Sequence, residues 1–169
     1  IAIVFDYKGD YTKSLEYHFK SLNLSKQIKN KDRISASYLN IGLIYYYLGA
    51  FDKALNYTFN GLKLAEDMGD QQSVSNFLNN LGLIFEKQSN FPKALEYYKK
   101  SLDLFKKANE KSSIADSYNN LGLIYFRTGQ YDTSLAYFNK SINIKNEIGN
   151  PIGVAQATGN MGLVYKARN

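Results

Sequence analysis

One five-residue string returns every 40 residues along this chain: Ile41-Gly42-Leu43-Ile44-Tyr45, Leu81-Gly82-Leu83-Ile84-Phe85, Leu121-Gly122-Leu123-Ile124-Tyr125 and Met161-Gly162-Leu163-Val164-Tyr165. Ile1-Ala2-Ile3-Val4-Phe5 keeps the same register one period earlier. A fixed period of this size marks a solenoid, in which each repeat covers the apolar face of its neighbour. The 169 residues are therefore expected to form one array: a truncated repeat over 1–30, repeats over 31–70, 71–110 and 111–150, and the opening helix of another over 151–169. Stacked repeats present long continuous surfaces, which points to binding.

Each period divides into two helical segments. The first helices are expected over 31–48, 71–88, 111–128 and 151–168, and the second over 11–28, 51–68, 91–108 and 131–148. In 71–88, Val74, Leu78, Leu81, Ile84 and Phe85 recur at three- and four-residue spacing and share one face. In 91–108 the same spacing selects Ala94, Leu95, Tyr98, Leu102 and Phe105. Gly9, Gly49 and Gly129 fall where a left-handed residue closes a helix, with Ser89 in the equivalent place. Pro92 and Pro151 stand where helices begin, and Asp70 and Asn150 are placed to cap them.

Small residues recur in the second helices at Ser14, Ala54, Ala94 and Ser134, and again at Ser21, Gly61, Ser101 and Ser141. Glycine inside a helix costs about 1 kcal/mol relative to alanine. Its return at Gly42, Gly82, Gly122 and Gly162 therefore implies a steric need, with the small residues facing it across a close helix crossing. Tyr45, Phe85, Tyr125, Tyr17, Tyr57, Tyr97 and Tyr137 are expected to fill the spaces around these crossings. His18, the single histidine, shares the register of Tyr98 and Phe138 and reads as a packing residue.

The string Leu-Gly-x-x-Tyr is followed by Gly, an aromatic (Tyr11, Phe51, Phe91, Tyr131), Ala/Ser-Leu and a Tyr-rich second helix. This pattern resembles the tetratricopeptide repeat, and it covers the whole chain. The period is 40 where 34 is commoner, and the proline that usually ends the second helix is absent. Longer repeats of this kind resemble those of bacterial signalling proteins, kinesin light chains and polarity adaptors. The resemblance implies an all-α, right-handed superhelix of antiparallel helix pairs, with a concave groove lined by first helices that binds peptides or partner proteins.

The polar positions repeat too. Asn40, Asn80, Asn120 and Asn160 each precede the glycine string by one residue, and Asn79 and Asn119 add a second rung. An asparagine amide both donates and accepts, so it can hydrogen-bond an extended backbone regardless of that backbone's side chains. The resemblance implies such contacts on the concave face; the alternative is that the ladder is solvated or serves local structure. Helical spacing sets Leu43, Leu83 and Leu123 beside it as an apolar floor. Tyr46 and Tyr47, Glu86 and Lys87, Phe126 and Arg127, and Lys166 follow one turn on, with Ala36, Asn76, Asp116 and Gln156 on the other side. These positions vary between repeats, as specificity positions would. The expected ligand carries an apolar or aromatic anchor for Tyr46 and Tyr47 and an acidic group for Lys87 or Arg127. Leu39 and Leu43 stand where a clamp for a terminal carboxylate would need polar groups.

Other classes find less support. There is no cysteine, which excludes disulfides, thiolate zinc sites and a cysteine nucleophile. No phosphate loop or paired carboxylates recur, so neither enzyme chemistry, a cofactor nor a metal is expected. No run approaches the roughly 18 apolar residues of a membrane span. The formal charge of +6 comes from 21 Lys and Arg against 15 Asp and Glu, but arginine is limited to Arg33, Arg127 and Arg168, which argues against nucleic acid. Lys26, Lys29, Lys99, Lys100, Lys106 and Lys107 read as complements to helix C-terminal ends. Met161, Leu163, Val164 and Tyr165 are as apolar as their internal counterparts, so the chain reads as an excerpt of a longer array whose ends can associate. The expectation is a peptide-binding module of a larger, bacterial, cytoplasmic regulatory protein (a periplasmic sensor region being the other possibility). A self-assembling scaffold is the competing function.

Overall fold

Helix boundaries are written in the connections between the periods. Asp10, Asn30 and Asn90 accept hydrogen bonds from the backbone N–H groups of Lys13, Arg33 and Lys93 at 3.2, 3.0 and 3.3 Å. Asp70 and Asn150 do the same for Ser73 and Gly153 at 3.1 and 2.9 Å, as their positions predict. Left-handed residues close the helices: Gly49 at φ 72°, Gly129 at 75° and Ser89 at 58°. In a computed structural model, which describes residues 10–168, these signals bound eight helices: α1 (Tyr11–Gln27), α2 (Lys31–Tyr47), α3 (Phe51–Met68), α4 (Gln71–Lys87), α5 (Phe91–Lys107), α6 (Lys111–Arg127), α7 (Tyr131–Glu147) and α8 (Pro151–Arg168). The string Ile1–Phe5 and the expected stop at Gly9 lie outside the described residues. Every described helix falls within its expected segment. Pro92 occupies the first turn of α5, and Pro151 opens α8.

The helices belong to two compact units that divide between Ile84 and Phe85. In the first unit α1 packs on α2 and α2 on α3. Ile41, Ile44, Ala54, Ala65, Phe77 and Leu81 are buried there. A side-chain carbon on Gly42 would stand 2.7 Å from the Thr58 hydroxyl, so the close crossing is real. In the second unit α5 packs on α6, α6 on α7 and α7 on α8. Leu121, Ile124 and Phe138 fill its centre, and a carbon on Gly122 would meet the Phe138 ring at 2.7 Å. The Ser134 hydroxyl donates to the Gly122 carbonyl and the Ser141 hydroxyl to the Ala115 carbonyl, each at 2.7 Å. These small residues therefore admit the neighbouring backbone and also bond to it.

Three expectations are corrected. Gly162 has nothing within 4 Å of a would-be side chain, because no described helix crosses α8 there. Ser21 is exposed while Gly61, Ser101 and Ser141 are buried. Finally, the repeating tyrosines do not fill the crossings. His18, Thr58, Tyr98 and Phe138 are the buried residues of that register. The tyrosines form half-buried stacks, Tyr45 on Tyr57 at 5.5 Å, Tyr97 on the buried Phe85 at 5.4 Å and Tyr125 on Tyr137 at 5.2 Å between ring centroids.

These stacks also account for lysines. The ammonium groups of Lys53 and Lys93 lie over Tyr45 and Phe85 at 5.4 and 4.9 Å, while Lys100 and Lys140 lie over Tyr97 and Tyr137 at 5.7 and 5.1 Å. Each is close enough for a cation–π attraction. Helix-end complementation holds for Lys26, Lys106 and Lys107, which occupy last turns. Lys100 instead pairs with Glu96 in mid-helix at 2.7 Å.

Candidate functional site

The asparagine ladder lies on the first helices: Asn40 on α2, Asn79 and Asn80 on α4, Asn119 and Asn120 on α6, and Asn160 on α8. All six are half-buried, and Leu43, Leu83 and Leu123 beside them are half-buried as well. In the second unit, the Asn160 amide donates to the Asn119 Oδ1 at 3.0 Å, a bond from α8 to α6. An amide has two donor hydrogens and two lone pairs on its oxygen, so this bond orients the pair and leaves capacity on each.

In the first unit the ladder is flanked by aromatic surface. Tyr47 is 57% exposed. It stacks on Tyr11 with centroids 5.7 Å apart and meets Tyr46 edge-on at 5.3 Å. Three rings thus gather where α1 begins and α2 ends. The arrangement offers ring faces and edges to an apolar side chain.

The second unit carries charge at the same register. Glu86, expected on the variable surface, is only 7% exposed. The Tyr98 hydroxyl donates to its Oε2 at 2.8 Å, and Arg127 Nη2 lies 3.5 Å from its Oε1. Arg127 is therefore engaged in balancing a buried carboxylate, where it had been expected as a free handle. Lys87 is exposed. Phe126 is half-buried and lies 6.1 Å from Tyr131.

Sequence reasoning missed one feature here. Lys145 occupies the register of Ala65 and Phe105, both buried, and is itself 4% exposed. Its ammonium donates to Asp116 Oδ1 at 2.8 Å. Asp116, a variable position beside the ladder, thereby has an internal partner. The signal was present at Gly153: a carbon there would lie 2.7 Å from Lys145 Cδ, where Ser73 and Ser113 hold the same register.

Among the described residues, no group of three or more His, Asp or Glu side chains could hold a metal ion. No described helix is long and apolar enough to cross a membrane.

Sequence and structure comparisons agree with this fold. The tetratricopeptide-repeat profile matches residues 1–57, 73–147 and 113–169. The chain belongs to the tetratricopeptide-repeat family and is a protein-interaction module. No curated protein sequence matches it. Among solved structures, BtubC (BKLC) from P. vanneervenii superposes with a TM-score of 0.85 at 25% identity, over 99% of this chain and 70% of its own. Aspartyl phosphate phosphatase F from Bacillus subtilis gives 0.90 at 19% identity, over 96% of this chain and 43% of that one. A Rap protein complexed with competence and sporulation factor gives 0.85 at 14%, over 97% and 46%. The chain thus spans less than half of the latter two proteins, and their likeness concerns the fold.

Proposed function

We propose that the ladder face of the first helices binds an extended peptide or partner segment, without catalysis, as part of a larger bacterial regulatory protein in the cytoplasm. The observation that carries this reading is the coincidence of half-buried asparagine amides with the Tyr11–Tyr47–Tyr46 cluster, in which Tyr47 is exposed. Amides would hold the ligand backbone, and the aromatic cluster would select an apolar or aromatic side chain. Lys87 is the cation left to favour an acidic residue, since Arg127 faces Glu86. A fold neighbour captured with competence and sporulation factor supports partner binding on this scaffold.

The test is a screen of the chain against a library of unstructured peptides. The reading expects an enriched consensus with an aromatic or large aliphatic residue and an acidic one. Substituting Tyr47→Ala should erase the first preference and Lys87→Glu the second. A consensus indifferent to both substitutions would place binding elsewhere.

A second reading has one observation of its own. On α8, Ile152 is 74% exposed, and Leu163 and Tyr165 are each 52% exposed. Ile152 and Leu163, eleven residues apart, share one side of α8 and leave apolar surface suited to a covering helix or a second copy. Concentration-dependent mass in sedimentation, abolished by Leu163→Glu, would favour a self-associating scaffold.

A further inference from the structure

The first unit contains a cleft of about 480 Å³ away from the ladder. On α2, Ile34 and Tyr38 line it. At 100° per residue they lie on roughly the opposite side of the helix from Asn40. The end of α1, the start of α2 and the second half of α3 supply its walls. Its volume falls within the range of about 300–1,000 Å³ occupied by small-molecule sites.

Four lysines line this cleft, Lys26, Lys29, Lys31 and Lys63, against one carboxylate, Asp67. Ordinary structural roles account poorly for them. Lys26 lies in the last turn of α1, where a cation suits the helix dipole. Lys31, however, is the first residue of α2, at the end where the dipole disfavours a cation. Lys29 adopts φ 56°, a left-handed conformation that glycine takes at the matching Gly69 and Gly149 and asparagine at Asn109. Lysine is disfavoured there, so its side chain is retained against a local backbone preference.

The matching place in the second unit is built differently. There Lys111, the counterpart of Lys31, forms an ion pair with Glu147, the counterpart of Asp67. Among the described residues, no ion pair engages Lys29, Lys31 or Lys63. The cleft also has an apolar side: Ile34, Leu64 and Tyr38 line it, with the Lys26 ammonium 5.6 Å from the Tyr38 ring centroid.

We propose that this cleft binds an organic polyphosphate, its phosphates among Lys29, Lys31 and Lys63 and its planar or apolar body against Tyr38, Ile34 and Leu64. Lysine ammoniums are point charges that bind phosphate oxygens from several directions, so three of them can share one phosphate chain. The cleft is open to solvent, and its volume accommodates one small molecule.

The experiment titrates ATP into the whole chain by calorimetry at low salt, with adenosine, inorganic tripolyphosphate and hexaglutamate as comparison probes. ATP is expected to bind most tightly, and its affinity to fall steeply with added salt. Lys63→Glu should weaken it by about tenfold or more, the size of effect a reversed charge at contact distance gives. Lys29→Gly should weaken it while leaving thermal stability equal or higher, which separates lost binding from lost folding. Lys99→Glu, away from the cleft, should leave it unchanged. The proposal is overturned if ATP does not bind, or if tripolyphosphate or hexaglutamate binds as tightly. It is also overturned if Lys29→Gly and Lys63→Glu bind ATP as the parent does.

Discussion

At the scale of single residues, two glycines with the same place in the repeat have opposite environments. A side-chain carbon on Gly122 would meet the ring of Phe138, which is fully buried and has no room to yield. Gly162 meets nothing. Gly122→Ala should therefore lower stability by about 1–3 kcal/mol through overpacking. Gly162→Ala should raise it by up to about 1 kcal/mol through helix propensity. Urea unfolding midpoints of the two variants check both signs, and a similar loss for both would contradict this packing account. The repeated glycine was legible in the sequence, but the difference between its copies was not. Periodicity reports that a position recurs, whereas the atoms opposite it come from a second helix whose residues vary. The same limit hid Glu86: its burial depends on Tyr98 and Arg127, which belong to other helices.

At the scale of elements, the boundaries were the most legible part of the chain, because caps and left-handed stops are local chemistry. Asp70 illustrates this. Hydrogen bonds from Ser73, first its side chain and then its backbone N–H, hold the Asp70 carboxyl below its ordinary pKa. A carboxyl whose folded pKa is lowered stabilises the fold above its unfolded value, near pH 4. That contribution is lost as pH falls through the folded value. Asp70→Ala should therefore cost about 1 kcal/mol at neutral pH, and the gap from the parent should close on acidification. Paired unfolding curves from pH 7 to about pH 3 would show it. The contact of α6 with α7 was less legible, since a lysine in a core register reads as surface. Asp116→Ala would leave the buried Lys145 ammonium without its carboxylate and should cost about 1–2 kcal/mol. Lys145→Met, which returns the position to the apolar character of Ala65 and Phe105, should be neutral or stabilising. Denaturant unfolding of the two variants distinguishes this from a lysine that simply reaches solvent, for which both substitutions would be nearly silent.

At the scale of the whole molecule, the repeat unit combines positions that recur with positions that vary. The glycine crossings, small residues and aromatic stacks recur with little change and hold the helices together. The positions beside the asparagines differ from repeat to repeat: Tyr46, Glu86, Phe126 and Lys166 share one register. Helix order was readable from the period, and the family from the motif positions that recur in phase with it. Which variable side chains stay available was not, because Arg127 and Asp116 find internal partners only once the helices are packed. Much of the lysine surplus likewise belongs to structure, lying over the tyrosine stacks. The proposed peptide site is the ladder with its aromatic flank. The most direct test is equilibrium binding of a library-selected peptide to the parent chain and to an Asn80→Ala/Asn120→Ala variant, which removes one rung from each unit. Loss of two to four backbone hydrogen bonds, at about 0.5–1.5 kcal/mol each, predicts a weakening of tenfold or more. Equal affinity in the two proteins would contradict the ladder's role and return its asparagines to structure.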